Sequence, residues 1–260
     1  MSVKPVTPVP AATVVLLREA NPGIEVLLMQ RHRASKFAGG DFVYPGGKIE
    51  VDDNPDDAIE WCAGFDVARA VARLEVPDAK TALGCYVGAI RETFEEVGVL
   101  LAYDASGGWA RVNDPRFGEY RQAAQAENRA FWDMVRKENL TLATDKLVYF
   151  AHWITPEEQP FRYDTRFFAA PMPEGQSPVA DEHEVIDLRW YAPRAALAAF
   201  KAGEISLRNP TVQNMKLVDA PNVAAALEGV KDLEVPTIRP RVIMDGDKRK
   251  ILMPGDPGWF

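Results

Sequence analysis

The sequence predicts an α/β fold, and three observations carry that expectation. Apolar, β-rich runs lie toward both ends of the chain, at 12–18 and 24–31 and again at 146–154, 165–170 and 185–191. Between them stands one long helical pattern, 79–97. No internal repeat or low-complexity linker separates the two sets, so strands from both ends are expected around one helix in a single domain carrying insertions. With 260 residues and 47% hydrophobic content, the chain can bury a sizeable core.

The elements follow in order. ATVVLLR (12–18) and IEVLLMQR (24–31) flank Glu19-Ala20-Asn21-Pro22-Gly23, a turn signal, and predict a hairpin. After the loop ASKFAGGDF, Phe42-Val43-Tyr44 predicts a short strand stopped by a turn at Pro45-Gly46-Gly47. Helical periodicity runs over 56–74 and, past Pro77, over 79–97, with Gly98 placed to close the second helix. FGEYRQAAQAENRAFWDMVRKENL, within 103–140, predicts an added helix or helix pair. Helices are expected over 193–201 and 211–218. In the tail, two short β runs about Asp245-Gly246-Asp247 predict a hairpin. The expected organisation is one domain over 1–235, interrupted at 54–90 and about 103–140, with a tail at 236–260.

Charge and cysteines narrow the function classes. A net charge of −8 argues against a nucleic-acid surface, so a phosphate-bearing ligand must be met by local bases or bound metal. Cys62 and Cys85 form no CxxC pair and have no histidine cluster nearby, which leaves them as packing residues. MSVKPVTPVPAATVVLLREA lacks the apolar core of a signal peptide, and no stretch approaches the ~18–20 apolar residues of a membrane span. A soluble, cytoplasmic protein without membrane partners is the expectation.

The chemistry concentrates in RETFEEVGV (91–99). Glu92, Glu95 and Glu96 stand at i, i+3 and i+4, one face of a helix, where like charges repel by a few tenths of a kcal/mol per pair unless cations neutralise them. Oxygen-only clusters suit hard divalent ions. A solvated acidic face would be the ordinary explanation of such a run.

Upstream, Gly47 is followed six positions later by Asp53, and Arg91 precedes the glutamates. Together these resemble the Nudix box, Gly-x5-Glu-x7-Arg-Glu-U-x-Glu-Glu-x-Gly-U with U bulky and apolar. Gly47, Arg91, Glu92, Glu95, Glu96, Gly98 and Val99 fill their places, Thr93 takes the first U, and Asp53 replaces the first glutamate. Residues 54–90 put 37 positions where the pattern has seven. One branch of the Nudix hydrolase family, the coenzyme A diphosphatases, carries such an insertion. It is similar to this chain also in YDTRFFAAPMP (163–173), DEHEVIDLRWYAP (181–193) and ISLRNPTVQNMKLV (205–218), so that the likeness spans roughly residues 10–220.

The resemblance implies a Nudix-type α/β/α sandwich with a mixed sheet, and metal-dependent hydrolysis of a phosphoanhydride in a nucleoside diphosphate linked to another moiety. Coenzyme A or an acyl-CoA, cut to 3′-phospho-ADP and 4′-phosphopantetheine, is the preferred substrate. ADP-ribose, a dinucleotide or a nucleotide sugar is the enzyme alternative, and a non-catalytic nucleotide-binding sensor is the rival from another class. By the same resemblance Mg²⁺ or Mn²⁺ would sit on the Gly47 carbonyl, Glu92, Glu95 and Glu96, with Glu92 alternatively activating water and Arg91 holding Glu92. Glu182 or Glu184 resembles the distant acid many Nudix enzymes use, and His183 between them is a weaker candidate base. Arg31, Arg33 and Lys36 are candidates to grip phosphates, against an equal expectation of a solvated basic loop. Asp53 is open between a box acid and a solvated or capping residue. Phe42, Tyr44, Phe167 and Phe168 are expected in the core. The insertions are open as a lid or a homodimer interface.

Overall fold

The computed structural model describes residues 6–34, 38–181, 185–246 and 248–259. The expected hairpin is β1 (Val9–Glu19) and β2 (Ile24–Arg31). β3 (Phe42–Val43) and β4 (Gly46–Lys48) follow, then 3₁₀ turns at Val51–Asp53 and Ala58–Trp61. Helices α1 (Val67–Leu74) and α2 (Ala79–Val97) precede β5 (Ala102–Tyr103), α3 (Pro115–Ala126), α4 (Arg129–Lys137) and β6 (Thr141–Leu142). β7 (Val148–Ile154), β8 (Tyr163–Pro171) and β9 (Val185–Tyr191) lead to α5 (Pro193–Ala202), α6 (Asn209–Leu217) and α7 (Val223–Lys231). β10 (Thr237–Ile238) and the tail hairpin β11 (Arg241–Asp245) and β12 (Lys248–Leu252) complete the described chain.

The main sheet runs β10-β7-β8-β1-β2-β3, with β4 also paired to β1 and β9 to β2. It is mixed: β1 lies parallel to β8 and antiparallel to β2. β1 and β2 pair only near their turn, from Leu17–Val26 to Glu19–Ile24. Where they part, β4 takes the vacated edge of β1, Ala12 opposite Gly47 and Thr13 opposite Gly46. The glycines expected as a turn therefore form a short strand. At Gly46 a side chain is impossible, since φ is +154° and a Cβ would lie 2.4 Å from the Ala12 carbonyl oxygen.

Side-chain alternation builds two cores. Ala12, Val14 and Leu16 of β1 face the layer holding α1 to α4, whereas Val15 and Leu17 face α5 to α7. Leu27 and Met29 against Val26 and Leu28, and Phe168 against Phe167, repeat the division. An α/β/α sandwich results. All four aromatic residues expected inside are buried.

Two other expectations differ. The helical pattern over 56–74 yields a 3₁₀ turn and only the eight-residue α1, because Gly64 adopts φ +59° and Asp66 caps a fresh start by accepting from the Arg69 amide. Helix α7 was not anticipated; Asn222 caps it by accepting from the Ala225 amide, and Val223, Ala226 and Val230 bury its inner face. Both cysteines are free, Cys85 being buried. Among the described residues no helix is long and apolar enough to cross a membrane.

Candidate active site

Helix α2 positions the glutamates. Asp78 opens it by accepting from the Thr81 amide at 2.7 Å, and Gly98, in the left-handed region at φ +68°, closes it. The helix lies against β1 and β4 with most of its surface covered, so its functional face looks onto Gly46–Lys48. A Cβ on Gly47 would stand 2.4 Å from Glu92 Oε2, and one on Gly88 would stand 2.8 Å from Asp53 Oδ2. Glycine at both places is a condition of the approach.

Arg91 organises the centre. Its side chain is 2% exposed and uses every nitrogen. Nε and Nη2 donate to the two Asp53 carboxylate oxygens at 2.6 and 3.2 Å. Nη1 donates to Glu92 Oε1 and Glu95 Oε2, both at 3.0 Å, and Nη2 also donates to the Lys48 carbonyl at 2.9 Å. Burial alone would lower its pKa, but hydrogen bonding to Asp53 and the neighbouring carboxylates raise it above the usual arginine range.

Asp53, 1% exposed, also accepts from the Glu50 amide at 2.8 Å, closing the 3₁₀ turn that aims it. It is neither solvated nor a simple cap. Burial pushes its pKa up while the Arg91 fork pulls it down. Burial likewise pushes Glu95 up to about 7, with Arg91 opposing and Glu92 adding to the rise. Glu96 turns the other way: Oε2 accepts from the Gly46 amide at 2.7 Å, and Oε1 meets Arg31 Nη1 at 3.5 Å. The three carboxylates thus share a neighbourhood, but Arg91 holds two of them, and among the described residues no three His, Cys, Asp or Glu side chains converge as an ion cage.

One observation bears directly on a cation. Glu95 Oε1 is buried with no hydrogen-bond partner among the described residues, an arrangement that costs about 1–3 kcal/mol unless something else satisfies it. A hard divalent ion takes such an oxygen, and the donor chemistry here, carboxylates beside the carbonyl-bearing Gly47, fits one.

The remaining candidates are unevenly placed. Arg31, at the end of β2, is at the rim through Glu96, whereas Arg33 is exposed in the following turn. Lys36, Glu182, His183 and Glu184 lie outside the described residues.

Sequence reasoning missed several supports. Trp132 Nε1 donates to the Asp52 carbonyl at 2.9 Å, and Arg136 grips Asp57 with Nε and Nη2 at 3.0 and 2.6 Å. The Ala63 amide donates to the Leu142 carbonyl at 2.8 Å. Helix α4 of the second insertion thus contacts Asp52 and Asp57, on either side of Asp53. A signal existed in Gly84 and Gly88, four apart in a helix where glycine is costly, which mark where the 49–54 segment lies on α2.

A glycine-edged strand under a glutamate-bearing helix, joined by a buried arginine within an α/β/α sandwich, defines a Nudix hydrolase. More narrowly, the family described as the NUDT19 Nudix domain matches residues 80–218, more than half of the chain, and the chain belongs to that family. The matched span begins after Gly47 and Asp53. Over 217 residues the chain is 26% identical to the acyl-coenzyme A diphosphatase NUDT19 of Xenopus laevis, covering 72% of this chain and 57% of that protein. Against the human protein of the same name, identity is 24% over 277 residues, covering 90% of this chain and 72% of that one. The crystal structure of a NUDIX hydrolase from Alicyclobacillus acidocaldarius matches with a TM-score of 0.70 at 26% identity, over 85% of this chain and 96% of that one. Nudix hydrolases generally use divalent metals.

Proposed function

We propose that the protein hydrolyses the diphosphate of coenzyme A or an acyl-CoA, releasing 3′-phospho-ADP and a 4′-phosphopantetheine, with Mg²⁺ or Mn²⁺. The observation that supports the chemistry is the joining of Asp53, Glu92 and Glu95 through Arg91, which brings the two halves of the box together across 37 intervening residues (54–90). Support for the substrate comes from the relatives named acyl-coenzyme A diphosphatase.

In this reading Glu92, Glu95, Glu96 and the Gly47 carbonyl hold the metal. When bound, a metal would neutralise charge on the phosphates and lower the pKa of water so that hydroxide is available as the nucleophile. The protein's own groups do the rest. Arg91 fixes Glu92 through Oε1, and in its alternative role Glu92, instead of holding the metal, takes the proton of the attacking water. A distal acid, Glu182 or Glu184, is the alternative acceptor. Arg31, Arg33 and Lys36 would meet the phosphates of the substrate.

The test is product analysis with Mg²⁺, and without it, across coenzyme A, acetyl-CoA, ADP-ribose, NADH and a diadenosine polyphosphate. Metal-dependent release of 3′-phospho-ADP from the CoA compounds is the expected result. Cleavage of ADP-ribose or NADH alone would overturn the substrate, and binding without turnover would make the protein a sensor.

A further inference from the structure

We propose that Arg121, on helix α3 of the second insertion, is a positioning residue that holds the end of the box helix so that Glu95 and Glu96 keep their places. The inference rests on the functional reading above for its setting. Its geometry is independent of the substrate.

An α-helix leaves its last carbonyls without intrahelical partners, and the residues that matter here lie in that last turn. Arg121 Nε donates to the Glu95 carbonyl at 2.8 Å, and Gln125 Nε2, one turn further along α3, donates to the same oxygen at 2.7 Å. Two donors from a neighbouring helix thus fix the backbone of the residue whose side chain carries the orphaned oxygen. Arg121 adds charge, which the negative end of a helix dipole favours. A Cβ on Gly98 would come within 3.2 Å of its Nη1, so the closing glycine also admits the guanidinium.

The second amino group is the telling detail. Arg121 Nη2 is buried and has no hydrogen-bond partner among the described residues, although burial works against the cation and lowers its pKa. The carboxylates that sustain its charge are Asp181 and Glu96. A lone structural bond to a carbonyl would not need an arginine: Gln125 already makes one without a charge. A half-buried cation bonded to the Glu95 carbonyl and within electrostatic reach of Glu96 is the kind of outer group that orients metal ligands.

The experiment compares Arg121→Met, Arg121→Lys and Gln125→Met in the full chain. Mn²⁺ binding is measured with the metal alone, and kcat and KM with coenzyme A. Arg121→Met should weaken Mn²⁺ binding and lower kcat, each about tenfold, with KM little changed. Gln125→Met, which loses a bond to the same carbonyl but no charge, should stay within about twofold, and Arg121→Lys should recover part of the loss. Equal losses in Arg121→Met and Gln125→Met would overturn the proposal in favour of plain helix-end bonding, as would wild-type Mn²⁺ affinity in Arg121→Met. Should Arg121→Met fail to fold, Arg121→Lys against Gln125→Met decides on the same readouts. If the wild type cleaves no CoA compound yet Arg121→Met still weakens Mn²⁺ binding, the positioning role stands and the functional reading fails. A wild type that binds no Mn²⁺ overturns both.

Discussion

Replacing Asp53 by asparagine tests how the two halves of the box are joined. The carboxylate accepts three hydrogen bonds: Arg91 Nε at Oδ1, and Arg91 Nη2 and the Glu50 amide at Oδ2. An asparagine of the same shape must turn its amino group toward one of these donors, so at least one buried donor loses its acceptor whichever way it is oriented. The loss extends beyond one bond, because Arg91 at 2% exposure cannot be resolvated and keeps its charge. Removing one partner of a buried pair costs about 3–5 kcal/mol. Arg91 retains Glu92, Glu95 and the Lys48 carbonyl, which argues for the lower end, about 3 kcal/mol. At roughly 2–4 °C per kcal/mol for a chain of this size, the melting temperature should fall by about 6–12 °C. Urea unfolding supplies the free energy and calorimetry the temperature. A loss under about 1 kcal/mol, the range of an exposed ion pair, would refute the buried junction and return Asp53 to the status of a surface acid.

Three further outcomes are expected. Gly47→Ala puts a Cβ 2.4–2.7 Å from all three carboxyl atoms of Glu92, so Glu92 must move; kcat should fall about 100-fold, since about 1 Å of misplacement costs that much, and an unchanged kcat would show that Glu92 is not needed where it stands. Glu95, at about 7 when folded against 4.5 as a free group, keeps a proton between those pH values that the unfolded chain has lost, so its contribution to stability falls as pH rises through that window. Without added metal ion, wild type should therefore lose more stability than Glu95→Gln between pH 5 and 7, whereas added Mn²⁺ should narrow the difference; parallel melting curves would contradict the assigned burial. Arg136→Ala, which breaks the bidentate contact to the half-exposed Asp57, should cost under about 1 kcal/mol and raise protease sensitivity over 54–66 more than it lowers the melting temperature.

Much of the fold was legible because it rests on local periodicity. Helix α2 has the expected bounds of 79–97, its cap residues being adjacent to it in sequence. The hairpin and the strands at 148–154, 163–171 and 185–191 likewise declare themselves by apolar runs. What escaped depends on distant partners. Gly46 and Gly47 form a strand only because β1 and β2 diverge and leave an edge to pair with, which no turn propensity encodes. Asp53 looked undecided amid neighbouring acids; its burial is conferred by Arg91, 38 positions away, and by Gly88, whose bare backbone brings α2 against its carboxyl and leaves little room for the longer glutamate. Arg121 and Gln125 carry no motif. Their role appears only when α3 lies beside the end of α2.

The interrupted box also has a consequence for how the protein reaches its native state. Lengthening the tether between Asp53 and Arg91 from the seven residues of the compact pattern to 37 raises the entropic cost of bringing the two together by about 1.5 kcal/mol. The contact changes from a near-local event to a long-range encounter, and α4 adds contacts to the same 52–57 segment once it is docked. The site is then closer to an interface within one chain than to a loop, and the order of assembly matters: α3 and α4 should dock on α2 before the Asp53–Arg91 pair can close. In the refolding reaction, activity should accordingly appear after helix content, and destabilising α4 should delay the first without delaying the second.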